Sequence, residues 1–280
     1  MNVTVLGSGR WGTFLAVYHS RKNNVALWGK EGSPDYEQLL KERKNSYLEL
    51  PDNLILEPDL GKALDHAEYI VISISAQHLR EFCERINQYN VHGKTFILCM
   101  KGIESETGER LSQIVKDTIR QYVNICVWVG PGHVQDFMAG IPNCMVIDSD
   151  NEEVKKYLVD EFSSELIRFY IGTDLIGSEI GAAAKNVIGI RFNSNRLLTP
   201  SPLCLFGYFK HLFTVGCGKS LIRSLNRGEV RPGLRPVVKS VLKATVLHKV
   251  RQSYTVGFNG GRIFQHRYAD YHKGNRYSNA

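Results

Sequence analysis

The sequence predicts an α/β fold over residues 1–190, built on a doubly wound, mostly parallel sheet. Three observations predict it. Short apolar or β-branched runs alternate with helical segments, as expected when crossover helices join parallel strands. A glycine-rich turn, Gly7-x-Gly9-x-x-Gly12, separates the first strand from the first helix. The run at 68–75 is apolar almost throughout, which is typical of a strand covered on both faces.

Six runs have the length and character of strands. The first, at residues 2–6, is β-branched and ends at the glycine turn, and the second, at 25–28, ends in Trp28. The remaining strands are short and apolar, and they are predicted at 68–75, 95–100, 125–129 and 144–147.

Helices are expected between these strands. The segment after the glycine turn has apolar residues at helical spacing, a polar helix is predicted at 35–49, and another runs from about 107 to 122. A further run of small and apolar residues, 176–188, has helical spacing and would form a tightly packed helix. No internal repeat or low-complexity linker interrupts this order.

The charge distribution divides the chain near Ile190. Residues 1–190 hold 19 Lys and Arg against 26 Asp and Glu, a net charge of −7. Residues 191–280 hold 16 Lys and Arg against only Glu229 and Asp270, a net charge of +14. We therefore predict a domain over 1–190, which the glycine turn marks as dinucleotide-binding, and a separate basic C-terminal region over 191–280.

The glycine turn carries the clearest chemical signal. Gly7 allows the tight turn, Gly9 lets the backbone approach a pyrophosphate, and Gly12 lets the helix pack closely on the strand. The N-terminus of the following helix offers backbone N–H groups and a partial positive charge to phosphates. Because the motif lies in the required strand–turn–helix context, it predicts a Rossmann-type dinucleotide site.

The end of the second strand leaves the choice of cofactor open. Lys30 could meet the 2′-phosphate of NADP, whereas Glu31 could hold the ribose hydroxyls of NAD. Either side chain could equally be a solvated loop charge.

Further polar groups follow later strands at the same edge of the predicted sheet. Lys101 follows the strand at 95–100, and Gly130-Pro131-Gly132-His133 follows the strand at 125–129. Lys185 lies inside a run of small residues, where partial desolvation would lower its pKa and suit it to proton transfer. Taken alone, each has an ordinary structural explanation: a surface lysine, a turn, and a lysine at a domain edge.

Several segments in order resemble bacterial NAD(P)-dependent glycerol-3-phosphate dehydrogenase across residues 1–190. They are Gly7-Ser8-Gly9-Arg10-Trp11-Gly12-Thr13, Val25-Ala26-Leu27-Trp28, Lys101-Gly102-Ile103-Glu104, Gly130-Pro131-x-His133, Gly140-Ile141-Pro142 and Thr173-Asp174 with Glu179 and Lys185-Asn186-Val187. The resemblance implies reversible reduction of dihydroxyacetone phosphate to sn-glycerol 3-phosphate by NADH or NADPH, supplying phospholipid synthesis.

The resemblance also implies roles for individual residues. Lys185 matches the group that donates and accepts the proton at the substrate oxygen, and Lys101 matches a lysine touching both cofactor and substrate. Gly130 and Gly132 match the substrate loop. Arg10, Trp11, Lys101 and Val134 match cofactor contacts of the family. The predicted cofactor site adds the three motif glycines, Gly7, Gly9 and Gly12, and Lys30 from the end of the second strand. Two residues depart from the family: Gly132 replaces a serine or threonine, and Val134 replaces an alanine.

The resemblance stops at Ile190. The family continues into a helical substrate domain with an aspartate and a Ser-Arg-Asn motif. Residues 191–280 show no counterpart of that domain and contain no Ser-Arg-Asn. We therefore expect a poorly ordered or atypical region there. A shifted reading frame explains it best, ahead of a genuine basic extension and then a divergent substrate domain. The chain would then bind cofactor but turn over feebly.

Composition limits the remaining function classes. The chain has 43% hydrophobic and 22% charged residues, typical of a globular protein, with no basic leader and no uninterrupted membrane-length apolar run. Its six cysteines have no metal or redox spacing. We expect a cytoplasmic protein with a small-molecule substrate and no metal, nucleic-acid partner or membrane span. The sequence does not decide whether the chain forms a homodimer. The alternatives are a β-hydroxyacid dehydrogenase and an inactive dinucleotide-binding protein whose basic tail binds nucleic acid or membrane.

Overall fold

The computed structural model describes residues 1–130 and 132–183 together with two strands near the C-terminus. One compact unit comprises residues 1–104 and 111–179, and a second contains 105–110 and 180–280. The described part of the second unit includes an antiparallel hairpin, β9 (Tyr254–Asn259) and β10 (Arg262–Arg267). The predicted boundary at Ile190 and the rest of 191–280 lie outside the described residues.

The first unit is built on an eight-stranded sheet. Its strands are β1 (Asn2–Leu6), β2 (Asn24–Trp28), β3 (Ile55–Leu56), β4 (Tyr69–Ile72), β5 (Thr95–Leu98), β6 (Asn124–Val129), β7 (Asn143–Ser149) and β8 (Ile167–Ile171). They lie in the order β3-β2-β1-β4-β5-β6-β7-β8. Neighbours are parallel from β3 to β6, β7 runs antiparallel to β6, and β8 is parallel to β7. The predicted doubly wound α/β fold is confirmed.

Helices follow most strands. They are α1 (Arg10–Ser20), α2 (Pro34–Glu42), α3 (Leu60–His66), α4 (Leu79–Ile86), α5 (Leu111–Thr118), α6 (Val134–Met138) and α7 (Glu152–Phe162). A 3₁₀ turn (Ala76–His78) precedes α4, and residues 175–183 are helical. Local capping explains two of the starts, because Asp59 accepts from the Lys62 amide (2.8 Å) and Asn151 from the Val154 amide (3.2 Å). No helix in the described ranges is long and apolar enough to cross a membrane.

Two predicted helices are longer than the observed ones. The helix predicted at 35–49 ends at Glu42, because Arg43 adopts a left-handed conformation (φ 53°). The Arg43 guanidinium then donates to the carbonyls of Pro51 (2.7 Å) and Leu54 (2.8 Å), which stabilises the return of the chain to β3. The helix predicted from about 107 begins only at Leu111 and ends at Thr118.

An aromatic cluster forms one end of the core beneath β6. Trp128 lies edge-on to Phe169 (ring centroids 4.8 Å apart) and to His19 (5.5 Å), and His19 contacts Phe162 at 4.3 Å. His19 is buried, and its Nε2 has no hydrogen-bond partner among the described residues. Desolvation lowers the pKa of His19 to about 3, so the imidazole is neutral in the folded chain.

His19 is expected to make stability fall in acid. Below about pH 6.5 the unfolded chain protonates this residue while the folded chain does not, so unfolding becomes more favourable as pH falls. The His19 contribution is about 1.4 kcal/mol per pH unit down to the lowered pKa. Between pH 7 and pH 5, the free energy of unfolding measured with urea should therefore fall by about 2 kcal/mol less in a His19→Phe variant than in the parent. The control, His92→Phe, changes an exposed residue, and equal acid losses in all three proteins would contradict the prediction.

Candidate functional site

A cavity of about 680 Å³ opens at the carboxyl edge of the sheet, where β1 lies between β2 and β4 and the strand order reverses. Doubly wound sheets bind ligands at this switch point. The cavity is lined by residues from five chain segments, 7–11, 28–33, 73–76, 99–101 and 132–135, of which the second contributes Trp28, Lys30 and Ser33.

The glycine turn can be built only with glycine at two of its positions. Gly7 has φ +120°, and a Cβ there would overlap the Ser73 carbonyl oxygen. A Cβ on Gly12 would overlap the carbonyl oxygen of Gly7, so this residue sets the close packing of α1 on the turn. Gly9 differs, since a Cβ there would have no atom within 4 Å. Gly7 and Gly9 line the cavity, whereas Gly12 lies behind it.

The N-terminus of α1 faces this cavity with the properties of an anion site. Gly9 is the N-cap, and no side chain caps the helix or places an acid in its first turn. Arg10 and Trp11, the first two helical residues, both line the cavity. Free first-turn amides, the helix dipole and an arginine all favour a phosphate, so this loop fits the pyrophosphate of a dinucleotide.

An aromatic stack joins α1 to α6 beside the glycine turn. The Phe14 ring lies 5.3 Å from Trp11 and 5.1 Å from Phe137, and Trp11 lies 6.1 Å from Phe137. Phe137 follows the 130–133 loop on α6. The sequence assigned neither Phe14 nor Phe137 to the site, since nothing in the local pattern links the two.

The structure separates the two glycines of the predicted substrate loop. Gly132 lines the cavity, and a Cβ there would overlap the Phe137 ring. Gly130 does not line the cavity; its Cβ would lie 3.1 Å from the Cα of Met145, so packing against β7 explains it. Val134 lines the cavity, and its contact with a cofactor stays a prediction. The residue between the two glycines lies outside the described residues.

Lys101 enters the cavity wall from the end of β5. The Cys99 amide donates to the Ile72 carbonyl (3.0 Å), which extends the pairing of β5 with β4 almost to Lys101. Cys99 also lines the cavity, and burial raises the pKa of its thiol well above the ordinary value, so it is a neutral wall group. Lys101 thus shares one cavity with the glycine turn, although 89 residues separate it from Gly12.

The cavity wall is cationic. Arg10, Lys30 and Lys101 all line it, and no Asp or Glu does so in the described part of the chain. Glu31, the residue considered for ribose binding, is not among the lining residues. Trp28, at the end of β2, also lines the cavity, and its ring stacks on that of Phe82 with the centroids 5.5 Å apart.

Lys185 lies outside the described residues. Residues 175–183 before it are helical, and buried polar groups hold the start of this helix. Asp148 on β7 accepts from the Ser178 hydroxyl (2.8 Å) and from the Asp174 amide (3.1 Å). Glu179 accepts from the Ser112 amide (2.8 Å) and hydroxyl (2.6 Å) at the start of α5. The start of the helix is therefore held at two points within the first unit.

The Asp148 carboxylate has a cationic partner. Buried Lys155 on α7 lies 3.7 Å from Asp148 and donates to the Gly172 carbonyl (2.7 Å) and to Glu152 (2.7 Å). Burial nonetheless raises the pKa of Asp148, while Lys155 and the hydrogen bonds lower it in part. Sequence reasoning missed Asp148 and Lys155, because a charged pair in the core has no local sequence signal.

Comparisons with known proteins agree with this geometry. Residues 2–155 match the family model for the NAD-dependent glycerol-3-phosphate dehydrogenase N-terminus. The chain is 33% identical over 193 residues to glycerol-3-phosphate dehydrogenase [NAD(P)+] of Nitrosomonas eutropha, covering 68% of this chain and 58% of that protein. The Prosthecochloris aestuarii protein of the same name is 35% identical over 198 residues, with 68% and 59% coverage. The chain therefore spans less than two thirds of these relatives.

Solved structures show the same fold. The crystal structure of glycerol-3-phosphate dehydrogenase from Coxiella burnetii superposes with a TM-score of 0.66 at 24% identity, covering 87% of this chain and 75% of that one. The Saccharomyces cerevisiae enzyme gives a TM-score of 0.61 at 21% identity. The family model matches more than half of the sequence. Through its N-terminal domain, the chain belongs to the NAD-dependent glycerol-3-phosphate dehydrogenase family.

Proposed function

We propose that the cavity binds NADH or NADPH and that the chain interconverts dihydroxyacetone phosphate and sn-glycerol 3-phosphate, supplying phospholipid synthesis. The observation that carries this proposal is the meeting of the glycine turn and Lys101 in one cavity at the strand switch point. Family membership supplies the reaction class. The bound nicotinamide would supply the hydride that reduces the carbonyl carbon.

The chain's own residues would orient the reactants. The amides of α1 and the Arg10 guanidinium would hold the pyrophosphate, and Trp11 and Val134 would pack on the cofactor. The Lys101 ammonium would stabilise the negative charge that develops on the substrate oxygen, and Lys185 would transfer the proton there. The 130–133 loop, through Gly132, would contact substrate.

The cavity wall favours NADPH over NADH. Arg10, after β1, and Lys30, after β2, both line the cavity, and no carboxylate lines it within the part of the chain that the structure describes. A 2′-phosphate would gain from these cations, whereas the ribose hydroxyls of NADH would lack the acid that usually holds them.

Turnover by this chain is expected to be feeble. Residues 191–280 lack the Ser-Arg-Asn motif that the resemblance leads one to expect for gripping the substrate phosphate. Hydride transfer requires the reacting atoms to be held close and aligned, so weak substrate binding would lower the rate. The same loss of resemblance supports a domain boundary near Ile190, which is part of this proposal.

The alternative function is an inactive dinucleotide-binding protein with a nucleic-acid- or membrane-binding tail. It is favoured by the net charge of +14 on residues 191–280.

Replacing Lys101 by methionine is expected to weaken NADPH binding about 10-fold, because the wall loses one of its three cations. Fluorescence titration of the full chain measures the dissociation constant, and dihydroxyacetone phosphate-dependent oxidation of NADPH measures any turnover. Lys41→Met, an exposed change on α2, is the control and should leave both unchanged. Unaltered binding in Lys101→Met would argue against this cavity as the cofactor site. Cofactor binding with no turnover and salt-dependent DNA binding would favour the alternative.

A further inference from the structure

We propose that Arg80 is a positioning residue for Lys101, acting through the carboxylate of Glu104. Arg80 lies on α4, outside the cavity lining, so it would influence the site only through the loop that carries Lys101. The expected effect of Arg80 on NADPH affinity rests on the proposed function, because it assumes that Lys101 contacts a dinucleotide.

The first observation is a two-point ion pair. Arg80 Nε donates to Glu104 Oε1 at 2.9 Å, and Arg80 Nη2 donates to Glu104 Oε2 at 2.7 Å. Glu104 is almost fully buried, with 8% of its side chain exposed, against 33% for Arg80. Paired, parallel hydrogen bonds of this kind set the orientation of both groups as well as their distance.

The second observation is a hydrogen bond to the residue before Glu104 in the same loop. The Gln77 side-chain amide donates to the Ile103 carbonyl at 3.0 Å. Gly102 adopts φ +152°, and a Cβ there would stand 3.1 Å from the Ala76 Cβ. Ala76 and Gln77 belong to the 3₁₀ turn that precedes α4, so one short segment after β4 holds the loop throughout.

Lys101 is therefore confined from both directions along the chain. Before it, the Cys99 amide is bound to the carbonyl of Ile72 at the end of β4. After it, Ile103 and Glu104 are bound to Gln77 and Arg80. The backbone of Lys101 has little freedom between these anchors, so its long side chain starts from a fixed point on the cavity wall.

A double-mutant cycle on NADPH binding tests the proposal in the full chain. Arg80→Met is expected to raise the NADPH dissociation constant about 10-fold in the parent, but less than about 2-fold in the Lys101→Met background. Equal fold-changes in the two backgrounds would overturn the proposal, because Arg80 would then act independently of Lys101. Arg80→Lys, which keeps the charge but loses the two-point geometry, should restore part of the affinity.

Control variants separate positioning from general destabilisation. Arg168→Met removes an arginine that stacks over Tyr170 at 5.3 Å on β8, away from the cavity lining, and should leave the affinity unchanged. Glu104→Gln nearly preserves the shape of the side chain, so we expect it to perturb folding less than Arg80→Met does. It should weaken NADPH binding in the same Lys101-dependent manner. An unchanged dissociation constant in a folded Glu104→Gln chain would also overturn the proposal.

A measurement made without cofactor distinguishes failure of the positioning role of Arg80 from failure of the proposed dinucleotide binding. The rate at which acetic anhydride acylates Lys101 can be followed by mass spectrometry, with exposed Lys41 as the internal standard. Arg80→Met should change the Lys101 rate about 3-fold or more and leave Lys41 unaltered. Failure of the parent chain to bind NADH or NADPH would contradict the proposed function alone. An unaltered Lys101 rate would contradict the positioning role alone.

Discussion

A Gly12→Ala variant is expected to lose about 3 to 5 kcal/mol of folding free energy, a large fraction of the roughly 5 to 15 kcal/mol that stabilises a typical domain. The Cβ that alanine adds would overlap the backbone carbonyl oxygen of Gly7. That oxygen cannot move aside as a flexible side chain could, because the Gly7 amide is bound to the Trp28 carbonyl at 2.8 Å and Gly7 itself has φ +120°. Helix α1 would have to shift away from β1 along its length. Urea unfolding, or loss of native circular dichroism, measures the effect.

Gly9→Ala is the matched comparison, because it adds the same methyl group three residues earlier in the turn. Gly9 is in an extended conformation (φ −71°, ψ 179°), and its added Cβ would have no atom within 4 Å. The variant should fold with parental stability but bind NADPH at least about 10-fold more weakly, because the methyl group would occupy the approach of the pyrophosphate. Equal stability of the two variants would contradict the packing argument. Parental NADPH affinity in Gly9→Ala would contradict the placement of the pyrophosphate.

Lys155→Met is expected to cost about 3 to 5 kcal/mol at pH 7, the usual result of removing one member of a buried ion pair. The variant leaves the Asp148 carboxylate, 1% exposed, without the cation that lies 3.7 Å away. It also leaves the Gly172 carbonyl without its donor. Lys156→Met, a change at the exposed neighbour on α7, is the control and should be nearly neutral.

The pH dependence of Lys155→Met distinguishes a lost charge pair from lost packing. Burial already raises the pKa of Asp148, and removing Lys155 removes an influence that lowers it. When the folded pKa exceeds the unfolded one, the folded state holds the proton more tightly, so stability falls as pH rises through that interval. The deficit of the variant should therefore be largest near pH 7 and shrink as the pH falls toward 4. A deficit that is constant with pH would show that packing, rather than charge, explains the loss.

The sequence predicted the parts of the fold that depend on local pattern. All six predicted strands exist, because apolar periodicity and β-branching are properties of neighbouring residues. The glycine turn was predicted with separate roles for its members, and Gly7 and Gly12 do occupy positions where a Cβ would overlap backbone. The two-residue strand β3 and the edge strand β8 were not predicted, because short or half-exposed strands carry little periodic signal. The end of α2 was misplaced because a left-handed Arg43 has no reliable sequence signature.

Tertiary structure alone decided which distant residues share the site. The sequence by itself determined the fold class, the dinucleotide motif and the candidate role of Lys101. It could not show that Gly132 is held against Phe137, that Arg80 grips Glu104, or that Asp148 and Lys155 anchor the helix at 175–183. These contacts form only when elements from different parts of the chain pack against one another. Local propensity depends on neighbours in sequence, whereas a site of this kind depends on strand order and packing in space.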